Sequence, residues 1–269
     1  MRVCTLGDLT LDVTVRLRAP LAEGGDADAE IRLTPGGQAA NVAAWAAALG
    51  AQARFVGKRG DDLAGRLVTG ELERRGVEIL GPGEGRNGVV CAIVSSDGER
   101  SMAPDRGAAA ELRADEIDAA WLADVDHLFV SGYALLRDPA RSAAVRAVEL
   151  ARSAGAAVSV DLASWSALRD AGVAEVRGVV LDLAPDAVFV NEDEASVFGD
   201  PVPDATWILK RGAGGCSFGG EERPALPAER VVDSTGAGDA LAAGWIVGGP
   251  DLALEAAARC LGELGAMPG

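Results

Sequence analysis

The chain has 269 residues, 49% of them apolar, which is enough for one α/β domain with a buried core and excludes a disordered chain. Its 41 acidic against 25 basic residues leave a formal charge of −16, which excludes nucleic acid and anionic membranes as expected partners. No apolar run is long enough to cross a bilayer, and the N-terminus MRVCTLGDLT reads as a core strand rather than a signal peptide, so a cytoplasmic protein is expected.

Short β-rich runs alternate with longer helical patterns along most of the chain. Residues 3–7 read as a strand. Residues 10–34 carry the alternating runs LDVTVRL and EIRL around a Gly/Asp-rich turn, the pattern of a hairpin. Residues 38–49 are Ala-rich, with Val42, Trp45 and Leu49 at helical spacing and Gly50 as the stop. A strand at 54–57 follows, then a helix capped by Asp61 or Asp62 and running to Arg75, with Gly76 just beyond. Residues 88–102 give a second hairpin, VVCAIV and RSM around the turn SSDGE. Strands follow at 127–131, 157–161, 187–191 and 207–210, and helices at 139–153, 238–247 and 252–264.

Strands separated by helices imply parallel pairing and a sheet covered on both faces. The two hairpins do not fit that rhythm and are expected to form a small accessory sheet, a lid inserted into a single domain spanning 1–269. No internal repeat, low-complexity tail or linker divides the chain.

The segment with the most chemical content is VVDSTGAGDA, which runs from an apolar pair through a small-residue turn into a helix. Gly236, Ala237 and Gly238 leave bare N–H groups at a helix N-terminus, where the dipole favours an anion. Asp239 stands in the first turn beside that anion hole. A carboxylate there suits a base that deprotonates a nucleophile attacking a bound phosphoryl group; the bland alternative is a capping Asp. In PGGQAANVA, Gly36 and Gly37 allow close backbone approach, and Asn41 offers a donor and an acceptor suited to a polyol. GDLTLD places Asp12 near the carboxyl end of the first strand, where open α/β sheets bind ligands. NEDE, with Asn191 and Glu194, can orient Mg²⁺ through water, or can be an exposed acidic helix start. KRGAGG, with Lys210, Gly212 and Gly215, is a glycine turn able to pass over nucleotide phosphates or simply to close a hairpin.

Other chemistries lack their signatures. Cys4, Cys91, Cys216 and Cys260 show no C-x-x-C spacing and His127 stands alone, so zinc is not expected and the cysteines read as small core residues. The Walker A pattern is absent, as is G-x-G-x-x-G after the first strand.

Taken in order, GDLTLD, PGGQAANVA, VGKRGDDLAG, DRGAAAEL, NEDE, KRGAGG and DSTGAGDA resemble the ribokinase/PfkB family of carbohydrate and nucleoside kinases over essentially the whole chain. DSTGAGDA is highly specific to that family. The resemblance implies a three-layer α/β/α domain with a mostly parallel central sheet and a β lid, and an ATP- and Mg²⁺-dependent transfer of phosphate to a sugar hydroxyl. It implies Asp239 as base, Gly236, Ala237 and Gly238 as anion hole, and Asp12, Gly36, Gly37 and Asn41 as sugar contacts. It assigns Asn191 and Glu194 to ordering Mg²⁺ and phosphate, and Lys210, Gly212 and Gly215 to the nucleotide. Asp233 and Thr235 match a loop that holds a monovalent cation, K⁺, in some members. One departure bears on substrate: many sugar-acid and fructose kinases of the family carry Asp-x-Asn after the strand AVSVD, whereas Asp161 is followed by Leu162 and Ala163.

Three readings compete. A sugar kinase is favoured. A nucleoside kinase, for adenosine or a pseudouridine-like substrate, needs apolar surface to stack a base; Trp165 and Phe55 are the residues that could provide it. A non-catalytic sugar-binding protein predicts loss of the base or of the anion-hole glycines, and both are present. Free strand edges and the apolar lid residues Val13, Val15 and Ile93 suggest a homodimer through the lids.

Overall fold

The computed structural model describes residues 1–21, 23–95, 100–228 and 230–269. Strand β1 (Arg2–Leu6) leads into a hairpin, β2 (Thr10–Leu17) and β3 (Ala29–Gly36), and the chain returns through α1 (Gln38–Ala48) to β4 (Gln52–Val56). Helix α2 (Leu63–Arg74) and β5 (Glu78–Leu80) precede the second hairpin, β6 (Gly88–Val94) and β7 (Arg100–Asp105). Then come β8 (His127–Ser131), α3 (Gly132–Leu135), α4 (Ala140–Ser153), β9 (Ala157–Asp161), α5 (Trp165–Ala171) and α6 (Val173–Leu183). The chain ends with β10 (Ala187–Asn191), α7 (Glu192–Phe198), β11 (Thr206–Lys210), β12 (Cys216–Phe218), β13 (Glu221–Arg223) and α8 (Ala237–Leu261).

Nine strands form one sheet in the order β13-β12-β11-β10-β9-β8-β1-β4-β5. The seven strands from β11 to β5 are parallel, and β12 and β13 add an antiparallel edge. Because side chains alternate across a strand, each central strand supplies both faces. Val3, Phe129 and Phe189 point into one core, against α1 and α8. Cys4, Leu6, Leu128, Val130, Val188 and Val190 point into the other, against α4, α6 and α7. The result is three layers, helices on a sheet on helices. Cys4, Cys216 and Cys260 are buried, and burial pushes each thiol up to about 12, as suits inert core residues.

Two local features aim the site. Helix α1 lacks a side-chain cap and opens instead on Gly37 at φ 98. A Cβ there would lie 2.2 Å from the Asp8 carbonyl oxygen, so only glycine lets α1 start so close to the end of β1. Alanines along α1 let it pack against α8, and Trp45 Nε1 donates to the Ala266 carbonyl at 2.9 Å to tie it to the C-terminal segment.

The two hairpins pair with each other into a separate four-stranded sheet, β3-β2-β6-β7, with β2 and β6 parallel in its middle. The turn expected at 95–99 falls largely outside the described residues. One face of this sheet carries Asp12, Thr14, Thr34, Val90 and Ala92, which line a small cavity with Asp233, Thr235 and Gly265. Strand pairing puts Val13, Val15, Ile31, Leu33, Cys91 and Ile93 together on the other face.

The turn after β11 leads into β12 and β13, which add an antiparallel hairpin to the edge of the main sheet. The helices expected at 238–247 and 252–264 both form, as the two parts of α8, which breaks where Gly249 leaves helical geometry at φ 81 ahead of Pro250. Two expectations need correction. Val13, Val15 and Ile93 are half-buried, and the exposed large apolar residues of the small sheet, among the described residues, are Ile31, Leu33 and Met102 on its outer strands. Phe55 lies wholly within the core and has no face left to stack a base; Trp165 remains 41% exposed.

Candidate active site

The turn before α8 brings a positive helix end to the carboxyl side of the sheet. Gly236 caps the helix at φ 81, and a Cβ there would come within 2.6 Å of the Ala266 main chain. Glycine is therefore required at this point for the turn to close. The first N–H groups of α8 have no partners within the helix, and its dipole adds positive potential. Asp239 sits in this first turn. Burial pushes its carboxyl up to about 7, the nearby charges of Asp161 and Asp12 push the same way, and the Asn41 amide and Lys210 oppose them. A carboxyl poised near neutrality is what a general base at physiological pH requires.

Asn41 reaches Asp239 from the first turns of α1. Its Nδ2 donates to Asp239 Oδ2 at 2.8 Å. Its Oδ1 is buried and has no hydrogen-bond partner among the described residues. A buried acceptor without a donor is costly in a finished core. Asp12 lies in β2, within the small sheet rather than at the end of β1 where the sequence suggested. Its Oδ1 accepts from Thr10 Oγ1 at 2.9 Å, and a Cβ on Gly36 would collide with its carboxylate. Asp12, Gly36, Gly37 and Asn41 thus adjoin Asp239 from two directions.

The opposite side of the site is a buried charge cluster. Lys210, the last residue of β11, donates Nζ to Asp161 Oδ2 at 2.6 Å, and Asp161 at the end of β9 is 1% exposed. Burial alone would lower the Lys210 ammonium, but Asp161 and Glu194 outweigh it and hold the group above its ordinary value. A Cβ built on Gly238 would lie 3.4 Å from Lys210 Nζ, so the ammonium stands over the glycine turn that opens α8. Asn191 caps α7: its Oδ1 accepts from Glu194 N, and Glu194 in turn accepts from the Asn191 N–H and Nδ2, each at 2.8 Å. Glu194 is 2% exposed, so NEDE is not an exposed helix start at this position. Burial and the charge of Asp161 push its carboxyl up to about 7.

Asp233 and Thr235 shape the loop before α8. Asp233 Oδ1 accepts from Thr235 N and Oγ1 at 2.9 and 2.7 Å, and Oδ2 accepts from Gly265 N at 3.2 Å. Gly212 and Gly215 form the turn from β11 to β12, directly beyond Lys210.

Three relationships escaped the sequence: the Asn41–Asp239 bond, the Lys210–Asp161 pair, and a two-pronged pair in which Arg106 Nε and Nη2 donate to the Asp8 carboxylate at 2.7 Å each. Asp161 marked a departure from a motif, which was the available signal for the second. Neither Asp8 nor Arg106 carried one beyond its place in GDLTLD and DRGAAAEL.

Fold and site together define a ribokinase-like α/β/α protein with a glycine-rich turn at the start of α8 and an adjoining half-buried carboxyl. The chain belongs to the pfkB family of carbohydrate kinases, which it matches over residues 2–260. It is 32% identical to an ATP-dependent ribose-1-phosphate kinase of Halopiger xanaduensis, over 97% of this chain and 90% of that one. It is 30% identical to fructokinase-1 of Zea mays, over 77% and 71% of the two chains. Among solved structures, adenosine kinase from Sinorhizobium meliloti superposes with a TM-score of 0.84 at 26% identity, covering 99% of this chain and 95% of that one.

Proposed function

We propose that the protein transfers the γ-phosphoryl group of ATP to a hydroxyl of a small sugar, with Asp239 as the base. The observation that carries this reading is a half-buried carboxyl, raised to about 7, in the first turn of α8 behind Gly236–Gly238. Asp239 takes the proton of the acceptor hydroxyl. The N–H groups of the Gly236, Ala237 and Gly238 turn, with Lys210 above it, stabilise the charge on the transferring phosphoryl group. Asn41 holds Asp239 and offers its Oδ1 to a sugar hydroxyl, and Asp12 accepts from a second one.

The two buried carboxylates, Glu194 and Asp161, with Asn191 as the cap that orients Glu194, suit Mg²⁺ held through water, and Mg²⁺ there would neutralise the triphosphate. With the Asp233 carboxylate turned inward on Thr235 and Gly265, a K⁺ ion beside that loop would be held mainly by carbonyl oxygens. Lys210, Gly212 and Gly215 line the nucleotide's path. The small sheet, segments 10–34 and 88–102, is the lid that excludes water during transfer, and its apolar outer face suits a second copy of the chain.

The relatives' names, a ribose-1-phosphate kinase and a fructokinase, favour sugar over nucleoside. The loss of Phe55 as a stacking surface points the same way. The test is ADP release by the purified protein with ATP–Mg²⁺ and a panel of sugars and nucleosides. Sugar-dependent release is expected; release with nucleosides alone, or with neither, refutes the reading.

A further inference from the structure

Trp45 is the largest wholly buried side chain among the described residues, and it carries an N–H into the core. An indole N–H taken out of water has to find an acceptor. Here it finds the Ala266 carbonyl oxygen at 2.9 Å, across 221 positions of chain. Leucine or phenylalanine would fill the space between α1 and α8 without that demand, so the indole in this place asks for a second reason.

The acceptor is the informative half of this bond. A Cβ built on Gly236 would lie 2.6 Å from that same Ala266 oxygen, and as close to the Ala266 Cα and Cβ. Ala266 therefore forms the back wall of the turn that opens α8, against the residue whose φ of 81 sets the turn. The segment around it is pinned on either side. Gly265 N donates to Asp233 Oδ2 at 3.2 Å, and Arg75 Nε donates to the Pro268 carbonyl at 3.0 Å. Of these three bonds, the one from Trp45 falls on the residue that touches Gly236. The indole is itself held in place, because the Arg259 guanidinium in the last turn of α8 lies 5.2 Å from its ring centroid. Trp45 also stands one helical turn beyond Asn41, and residues four apart share a face of a helix. One stripe of α1 thus grips the start of α8 twice, at the Asp239 carboxylate through Asn41 and at the back of the Gly236 turn through Trp45.

We infer that Trp45 is a positioning residue for phosphoryl transfer: by fixing the Ala266 carbonyl, it holds the Gly236–Gly238 turn with its N–H groups aimed at the transferring phosphoryl group. The inference rests on the kinase reading and adds to it a residue that touches neither substrate. The turn needs such a support because glycine, which lets it close, also leaves its backbone free to take other conformations. Donors aimed at developing charge are effective only when they are held in place before the reaction, and a displacement of about 1 Å costs up to about 100-fold in rate. Without the Nε1 donor, the Ala266 oxygen is a buried acceptor with its bond unmade. It turns towards another donor, its segment draws away from Gly236, and the turn loses its back wall. Asn41 and Asp12 do not depend on that contact, so sugar binding and the ionisation of Asp239 persist.

Trp45→Phe keeps most of the apolar volume and removes the donor. With ATP–Mg²⁺ and the best acceptor sugar, ADP release is expected to show kcat lowered by about 10- to 100-fold. The KM for the sugar is expected to be unchanged, and the bend in the pH profile of kcat/KM to stay near 7. Circular dichroism of the same sample establishes that the variant is folded. If it does not fold, benzothienylalanine in place of Trp45, which has the indole's shape and a sulfur where the N–H was, carries the same expectation. An unchanged kcat in a folded variant makes Trp45 a packing residue only and overturns the inference. A raised sugar KM or a shifted bend also overturns it, because the loss then traces to Asn41 or Asp239. If no acceptor makes the parent protein consume ATP, the kinase reading falls, and calorimetric titration with inorganic phosphate decides whether Trp45 holds the turn. Phosphate binding weakened by Trp45→Phe supports it; equal binding, or none in the parent, overturns it.

Discussion

Asn41 Nδ2 and Asp239 Oδ2 meet at 2.8 Å across 198 positions of chain, joining the start of α1 to the start of α8. The bond orients the carboxylate of the proposed base while burial holds its pKa near neutrality. Asp239→Asn preserves shape and removes the base, so turnover should fall by about 10²–10⁴-fold with the protein still folded. Steady-state assays beside circular dichroism of the same sample check this; near-normal turnover removes Asp239 from the role. In the parent protein, kcat/KM should climb with pH to a bend near 7, where Asp239 becomes ionised, and level off above it.

The same group makes a stability prediction with a definite sign. The folded protein holds the Asp239 proton to about 7, against an ordinary value of 3.8. Its contribution to stability is therefore fully present below pH 3.8 and is lost as pH rises through 7. Asp239→Asn cannot ionise, so it should be more stable than the parent at pH 8, by about 1–4 kcal/mol. That advantage should shrink as pH falls from 7 towards 4. Urea melts at pH 5 and pH 8 test it, and an advantage that grows on acidification contradicts the burial argument.

Lys210 is expected to serve both fold and nucleotide, and a double substitution separates the two. Lys210→Met strands the Asp161 carboxylate, which is 1% exposed, and should destabilise by about 3–5 kcal/mol. Adding Asp161→Asn should restore most of that stability, because no buried charge is then left alone. ATP affinity should remain low in the double variant, since the ammonium above Gly238 is still missing. Recovery of ATP binding along with stability would show that Lys210 is structural only.

These relationships also mark where sequence reasoning ran out. Strands such as 127–131, 157–161 and 187–191 were legible because a buried parallel strand is a short apolar run with clear ends. The two hairpins were legible from strict alternation. Helices α5 and α6 were not, because α5 is only 7 residues long and α6 starts at Gly172 with no side-chain cap to mark it. The site's glycines and Asp239 announced themselves through a helix start with no side chains to obstruct it. The Lys210–Asp161 pair did not: it joins the ends of two strands 49 residues apart, and its partners become neighbours only through the strand order β9-β10-β11. Glu194 looked like a solvated charge, and only the capping bonds with Asn191 reveal why it can be buried.

The lid's outer face should hold a second copy of the chain. Ile31 and Leu33 are 60% and 57% exposed and share that face with Val13, Val15 and Ile93, an apolar surface on a sheet with free edges. Light scattering should give a dimer mass at micromolar concentration. Leu33→Asp should convert it to monomer, while a parent protein that is monomeric at high concentration refutes the assembly.

Substrate placement is tested most directly at Asp12. Its carboxylate rests against Gly36 and takes one bond from Thr10 Oγ1, on the face of the lid turned towards the loop before α8. Loss of a hydrogen bond to a charged group costs about 1.5–3 kcal/mol, and 1.4 kcal/mol is a factor of ten. Asp12→Ala should therefore raise the KM for the sugar by roughly 10- to 100-fold. The KM for ATP should stay nearly constant, because the proposed nucleotide path runs on the side of Lys210, across Asp239 from the lid. Asn41→Ala should differ in kind: Asn41 bonds Asp239 as well as facing the proposed sugar position, so kcat should fall together with the rise in KM. The two losses in kcat/KM should combine to less than their sum if both residues hold one ligand. Should Asp12→Ala instead weaken ATP and spare the sugar, the two substrates would have to exchange places, and the lid would close over the nucleotide.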